Sequence, residues 1–97
     1  MTNVNLVYDG SFDDADIIAV PDELVSIIEE LGQNFLHWVP TAEDYDYWTI
    51  IDGRRCVVAE TSGFIKWINV CYCKEIEKAH IVARNINYCP DYRIIEF

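Results

Sequence analysis

Residues 44–73 read DYDYWTIIDGRRCVVAETSGFIKWINVCYC, and the fold depends on how this stretch is divided. Tyr47 to Ile51 and Cys56 to Ala59 are both rich in aromatic and β-branched residues, and Asp52-Gly53 lies between them. A two-residue type I′ turn needs positive φ at both central positions, so Asp-Gly in this setting predicts a β-hairpin. Thr61-Ser62-Gly63 is a second break, after which Phe64 to Cys73 is apolar on both faces. By composition this third run reads as a covered strand, which would complete a three-stranded meander.

Toward the N-terminus, Asn3 to Tyr8 alternates with Val4, Leu6 and Tyr8 on one face, the period of a strand. Asp9 to Asp16, DGSFDDAD, holds four aspartates and reads as a solvated acidic loop. Its spacing does not meet the D-x-[DN]-x-[DN]-G pattern of a calcium loop. Pro21-Asp22-Glu23 suits a helix start, because proline is tolerated in the first turn and acids complement the positive end of the macrodipole. Leu24, Ile27, Ile28 and Leu31 follow at i, i+3, i+4 and i+7, Phe35 continues the stripe, and Pro40 ends it.

Toward the C-terminus, Ile76, Ala79, His80, Ala83 and Ile86 or Asn87 fall near one helical face, so Lys74 to Asn87 predicts a second helix. Cys89-Pro90-Asp91 is turn chemistry, and Tyr92 to Phe97 closes the chain as a strand. The order expected is β-α-β-β-β-α-β. It describes a single α+β domain over residues 1–97, with a mainly antiparallel sheet and two helices packed on it.

The chain has 97 residues, 52% of them apolar, which is enough for one core but leaves little room for a deep substrate cavity. It contains no apolar run of about 18 residues, and its first ten residues lack a basic and apolar leader pattern, so the cytoplasm is the expected location. In that compartment Cys56, Cys71, Cys73 and Cys89 would stay reduced and pack as small hydrophobes. Cys71-Tyr72-Cys73 places two thiols on one strand face, but no C-x₂₋₄-C or paired-histidine spacing builds a tetrahedral metal site. His37 and His80 each sit alone among apolar neighbours and read as structural. No nucleophile, phosphate-loop or cofactor motif frames these residues, so neither catalysis nor a cofactor is expected.

The charge pattern is more specific. The first 53 residues carry twelve Asp or Glu and neither Lys nor Arg, a net of −12; the remainder carries five acids against seven bases, a net of +2, for a total of −10. Such a field repels nucleic acid and anionic membranes and attracts a basic protein. Thr41 to Trp48, TAEDYDYW, interleaves acids with aromatics. Aromatics anchor protein interfaces, and acids at the rim steer a basic partner toward them. The residues expected to contact a partner are therefore Asp13, Asp14, Asp16, Glu43, Asp44, Tyr45, Asp46 and Tyr47, with Trp48 facing inward.

In size, charge and the two acidic stretches Asp9–Asp16 and Glu43–Trp48, the chain resembles the immunity proteins of bacterial toxin systems, including contact-dependent growth inhibition. That resemblance implies a cytoplasmic protein that neutralises a cognate toxin, typically a nuclease, by direct complex formation. The physical logic is that a nuclease needs a cationic cleft for phosphate, which a carboxylate array can occupy or flank. The other reading is a phage-encoded anti-defence inhibitor of the anti-CRISPR kind that imitates nucleic-acid charge. Such mimicry calls for acids spread over one face at near-phosphate spacing, whereas here seven bases partly offset seventeen acids.

Overall fold

The computed structural model describes residues 1–8, 11–44, 47–57 and 60–96. The chain runs through β1 (Thr2–Tyr8), β2 (Ser11–Val20), a 3₁₀ helix (Asp22–Ile27), α1 (Ile28–Trp38) and a second 3₁₀ turn (Val39–Thr41). It continues through β3 (Trp48–Ile51), β4 (Arg54–Val57), α2 (Thr61–Cys71), β5 (His80–Ile86) and β6 (Arg93–Glu96). The class is α+β, with two α-helices and a mainly antiparallel sheet. The order of elements departs from the expected one at three places: β2, which stands where a solvated acidic loop is expected, α2 and β5.

Four strands form one sheet in the order β5-β2-β1-β6. The β5–β2 and β2–β1 pairings are antiparallel, and β6 joins β1 in parallel. Val4, Leu6, Ile18, Val20 and Ile95 face the helices, where they meet Ile28, Leu31 and Phe35 of α1 and Phe64, Trp67 and Ile68 of α2. The stripe expected on the first helix is therefore the core face of α1, except that Ile27 is partly exposed. Ile27 ends the 3₁₀ segment, whose tighter winding rotates it off the α-helical stripe.

The second face of the sheet is covered by the chain itself. Strands β5 and β6 lie at opposite edges, so residues 87–92 must cross over β2 and β1. Asn5, fully buried in β1, fastens this crossing. Its Nδ2 donates to the carbonyls of Cys89 (2.7 Å) and Tyr92 (3.1 Å), and its Oδ1 accepts from the Cys89 N–H (2.8 Å). Val7 and Ile17 share that face with Asn5 and are buried as well.

The hairpin predicted at Asp52-Gly53 is present as β3 and β4, with φ of +50° and +74° at the two turn residues. It stands apart as a two-stranded sheet, and the Val58-Ala59 end of the expected strand lies outside the described residues. Phe64 to Cys73 is not a third strand. Thr61, Phe64, Trp67 and Ile68 are buried at helical spacing while Ser62, Val70 and Cys71 are exposed, so this segment is a helix. A run that is apolar all round reads alike as a covered strand or a buried helix, and here the 3.6-residue burial period wins.

Lys74 to Asn87 is not a helix. Buried Ala79 and half-buried Ile81 and Ala83 alternate with exposed His80, Val82 and Arg84, which is a strand's period of two. Asn69 of α2 fixes where β5 begins, because its side chain donates to the Ala79 carbonyl (3.0 Å) and accepts from the Ala79 N–H (2.7 Å). Ile76, expected on a core-facing stripe, is 90% exposed. The acidic stretch is also more ordered than expected. Ser11 to Asp16 belongs to β2, with the register shifted between Leu6 and Tyr8 of its partner strand.

Candidate functional site

The chain leaving α1 is fastened at Ala42. Thr41 Oγ1 donates to the Trp38 carbonyl (2.7 Å) and the Ala42 N–H to Val39 (3.1 Å), which continues the helix end into a turn. The Ala42 carbonyl then accepts the indole N–H of Trp48 at 2.5 Å and an Arg55 guanidinium N–H at 3.3 Å. The same guanidinium lies 3.7 Å from the centre of the Trp48 ring. Arg55, which follows the hairpin turn, therefore clamps the backbone just ahead of Glu43 and Asp44 rather than forming a surface ion pair. The Tyr47 N–H donates to the Asp44 carbonyl (3.1 Å).

Between this segment and α2 lies a groove of 240 Å³. Its aromatic walls are Trp38, Tyr47 and Trp67, its rim carries Glu43, Asp44 and Lys66, and Val70 and Cys71 complete it. Trp38 and Tyr47 meet edge to face, with centroids 5.1 Å apart and planes at 86°. Trp38 and Trp67 lie 6.1 Å apart at 30°. Phe35 and Phe64 support the walls from below, Phe35 lying 5.6 Å from Trp67 and 5.5 Å from Phe64. These contacts hold the rings in fixed orientations, so the groove is preformed. Lys66 Nζ sits 3.0 Å from Asp44 Oδ2 and 5.3 Å from the Tyr47 ring centre.

Of the eight residues expected to contact a partner, Glu43, Asp44 and Tyr47 line this groove. Glu43 and Asp44 are exposed, while Tyr47, only 3% exposed, contributes a wall rather than an outward anchor. Tyr45 and Asp46 lie outside the described residues. Asp13 and Asp14 are exposed on β2.

Asp16 is 5% exposed and points inward, so it does not present its charge to a partner. Its Oδ2 accepts from Thr61 Oγ1 (2.5 Å), its Oδ1 from the Asn85 N–H (3.1 Å), and Arg84 Nε approaches to 3.9 Å. The Thr61 proton is used on Asp16, so Tyr8 donates its phenol proton to the Thr61 oxygen. Burial holds the Tyr8 phenol above its usual pKa and the Asp16 charge adds to that rise, while the Thr61 backbone N–H and the Arg84 charge oppose it. This network joins β1, β2 and β5 to the first turn of α2, whereas the groove begins at Lys66, more than a turn further along the helix.

Trp38, Lys66, Trp67, Val70 and Cys71 were not among the expected contacts. Their signal was hidden in the assignment of residues 61–71. On a helix, Lys66 and Val70 are one i, i+4 pair and Trp67 and Cys71 another, which places all four along one side. On a strand the same residues would alternate between faces.

Among the described residues, no group of three or more His, Cys, Asp or Glu could hold a metal ion, and no helix is long and apolar enough to cross a membrane. His37 is exposed with its Nδ1 2.9 Å from the Gln33 carbonyl, and His80 is exposed on β5. No protein-family model, no curated protein and no solved structure matches the chain.

Proposed function

We propose that the chain is a small acidic binding protein that neutralises a basic partner protein by direct complex formation, acting as the immunity protein of a cognate toxin, with a nuclease as the favoured toxin class. The observation that carries this reading is the preformed aromatic groove rimmed by Glu43 and Asp44 on a chain that has no Lys or Arg before Arg54. Protein interfaces concentrate their affinity in aromatic anchors surrounded by a polar rim, and the groove has both parts. The acidic field supplies long-range attraction, which a protein that must intercept a toxin quickly needs, because steering raises association rates by about 10–10³-fold. A nuclease's phosphate-binding cleft supplies the matching positive charge.

The test uses the genes that flank this one. Each neighbouring product is expressed alone and together with this chain, and growth is followed. One neighbour is expected to arrest growth alone, to be harmless in the pair, and to co-purify with the chain as a complex that breaks up as salt is raised. If every toxic neighbour stays toxic in the pair, the toxin-immunity reading is wrong. Capture of a nucleic-acid-binding defence complex instead would favour charge mimicry.

A further inference from the structure

We infer that the groove is a seat for an arginine side chain of the partner, and that Lys66 is a resident cation which the arginine displaces from Asp44. The source of the arginine rests on the function proposed above; its chemistry rests on the groove alone. Faces of Trp and Tyr carry negative charge density and attract cations, most strongly where a carboxylate is also at hand. Trp38, 37% exposed, supplies the open face, Tyr47 and Trp67 back it as nearly buried walls, and Glu43 and Asp44 supply the carboxylates.

The protein already shows that the place accepts a cation. The Lys66 ammonium lies at once 3.0 Å from Asp44 and 5.3 Å from the Tyr47 ring centre. A few residues away, the Arg55 guanidinium lies over the Trp48 ring while donating to the Ala42 carbonyl, which is the pose an arginine from outside would adopt in the groove. Arginine fits better than lysine for two reasons. Its flat guanidinium stacks on an indole and grips a carboxylate with two parallel N–H bonds, and it sheds water more readily than an ammonium does. A lysine from the partner would only replace one ammonium with another.

It follows that Lys66 weakens capture of the arginine it resembles. Replacing it removes a competitor for Asp44 and one repelling charge. The Lys66→Met variant should therefore bind arginine about three- to fivefold more tightly, the scale of one exposed cation–aromatic contact.

The probe is the blocked tripeptide acetyl-Gly-Arg-Gly-amide, titrated against its Lys and Leu counterparts and followed by the indole N–H signals in proton–nitrogen NMR spectra. The arginine peptide is expected to shift the Trp38 and Trp67 signals saturably. The Trp48 signal, whose N–H is held by Ala42, should stay in place and report an intact fold in every variant. Glu43→Gln/Asp44→Asn should weaken binding at least about fivefold, two charge contacts being lost, and Lys66→Met should tighten it. Equal shifts from the leucine peptide, equal affinity for the lysine peptide, or arginine binding untouched by the two acid substitutions would each overturn the inference. A groove that binds the arginine peptide when no neighbouring toxin is neutralised would remove the toxin reading and leave the seat. A neutralised toxin whose affinity ignores Glu43, Asp44 and Lys66 would do the reverse.

Discussion

The Thr61 hydroxyl, in the first turn of α2, donates a 2.5 Å hydrogen bond to the Asp16 carboxylate in β2. That contact fastens the helix that carries Lys66, Trp67 and Val70 to the centre of the sheet, and it turns one of the seventeen acids from a surface charge into a structural one. A buried carboxylate is tolerated only when its oxygens are satisfied, and here Thr61, the Asn85 N–H and the nearby Arg84 satisfy them.

Asp16→Ala is therefore expected to cost about 2–3 kcal/mol, because it removes charge-assisted hydrogen bonds and leaves the Thr61 and Asn85 donors unpaired. Asp13→Ala and Asp14→Ala, one strand turn away on the exposed part of β2, should change stability by no more than about 0.5 kcal/mol. Urea midpoints of the three variants check this. Equal midpoints would mean that Asp16 does not hold α2.

The same network makes a pH prediction. The Tyr8 phenol is held above its ordinary pKa of 10.0 chiefly by burial. The folded state then keeps its proton longer than the unfolded state does, so stability is intact below pH 10 and falls as pH rises from about 10 toward the raised folded value. In Tyr8→Phe this alkaline loss should shrink relative to the parent chain, while at pH 7 the variant should lose about 1 kcal/mol with the hydrogen bond to Thr61. Denaturant titrations at pH 7, 9, 10 and 11 measure both. Parallel pH profiles for the two proteins would show that Tyr8 ionises alike folded and unfolded.

Packing gives a third prediction. Ile28, wholly buried in α1, should cost about 2–5 kcal/mol on truncation to alanine. Ile76, 90% exposed ahead of β5, should cost less than about 0.5 kcal/mol. A large loss at Ile76 would restore the helical reading of residues 74–87, in which Ile76 faces the core.

The contrast between those two isoleucines also marks how far the sequence is legible. Ile28 stands in a stripe with polar residues on the other side, so its spacing alone identifies a helix and its buried face. Asp52-Gly53 is equally direct, because few residue pairs accept two successive positive φ values. Residues 61–71 give no such contrast. With apolar side chains on every side, composition favoured a strand, and only the contacts of Phe64, Trp67 and Ile68 with α1 and the sheet decide for the helix. For β5 the short run Ala79-His80-Ile81-Val82-Ala83 fits both periods, and pairing with β2 settles it. The groove was lost with α2. Its acids, Glu43 and Asp44, were visible as charge, but its aromatic far wall exists only once Trp67 and Val70 share a helix side.

The last prediction separates attraction from grip at the groove. Partly exposed acids act mainly at a distance, through a field that salt screens over about 8 Å at physiological ionic strength. They should set how fast a basic partner arrives, while a desolvated ring should set how long it stays. Against the partner that the neighbouring-gene test identifies, Glu43→Gln/Asp44→Asn should slow association and flatten its salt dependence. Trp38→Ala, which removes a groove wall that is 37% exposed, should speed dissociation by roughly tenfold and change association little. Lys74→Ala/Lys78→Ala, on the exposed turn before β5, should leave both rates near those of the parent. Stopped-flow association at several salt concentrations, with dissociation followed by competition, resolves the three cases. If the lysine pair abolished binding while the acid pair left association untouched, the partner would be acidic, and the groove's carboxylates would have no part in recognising it.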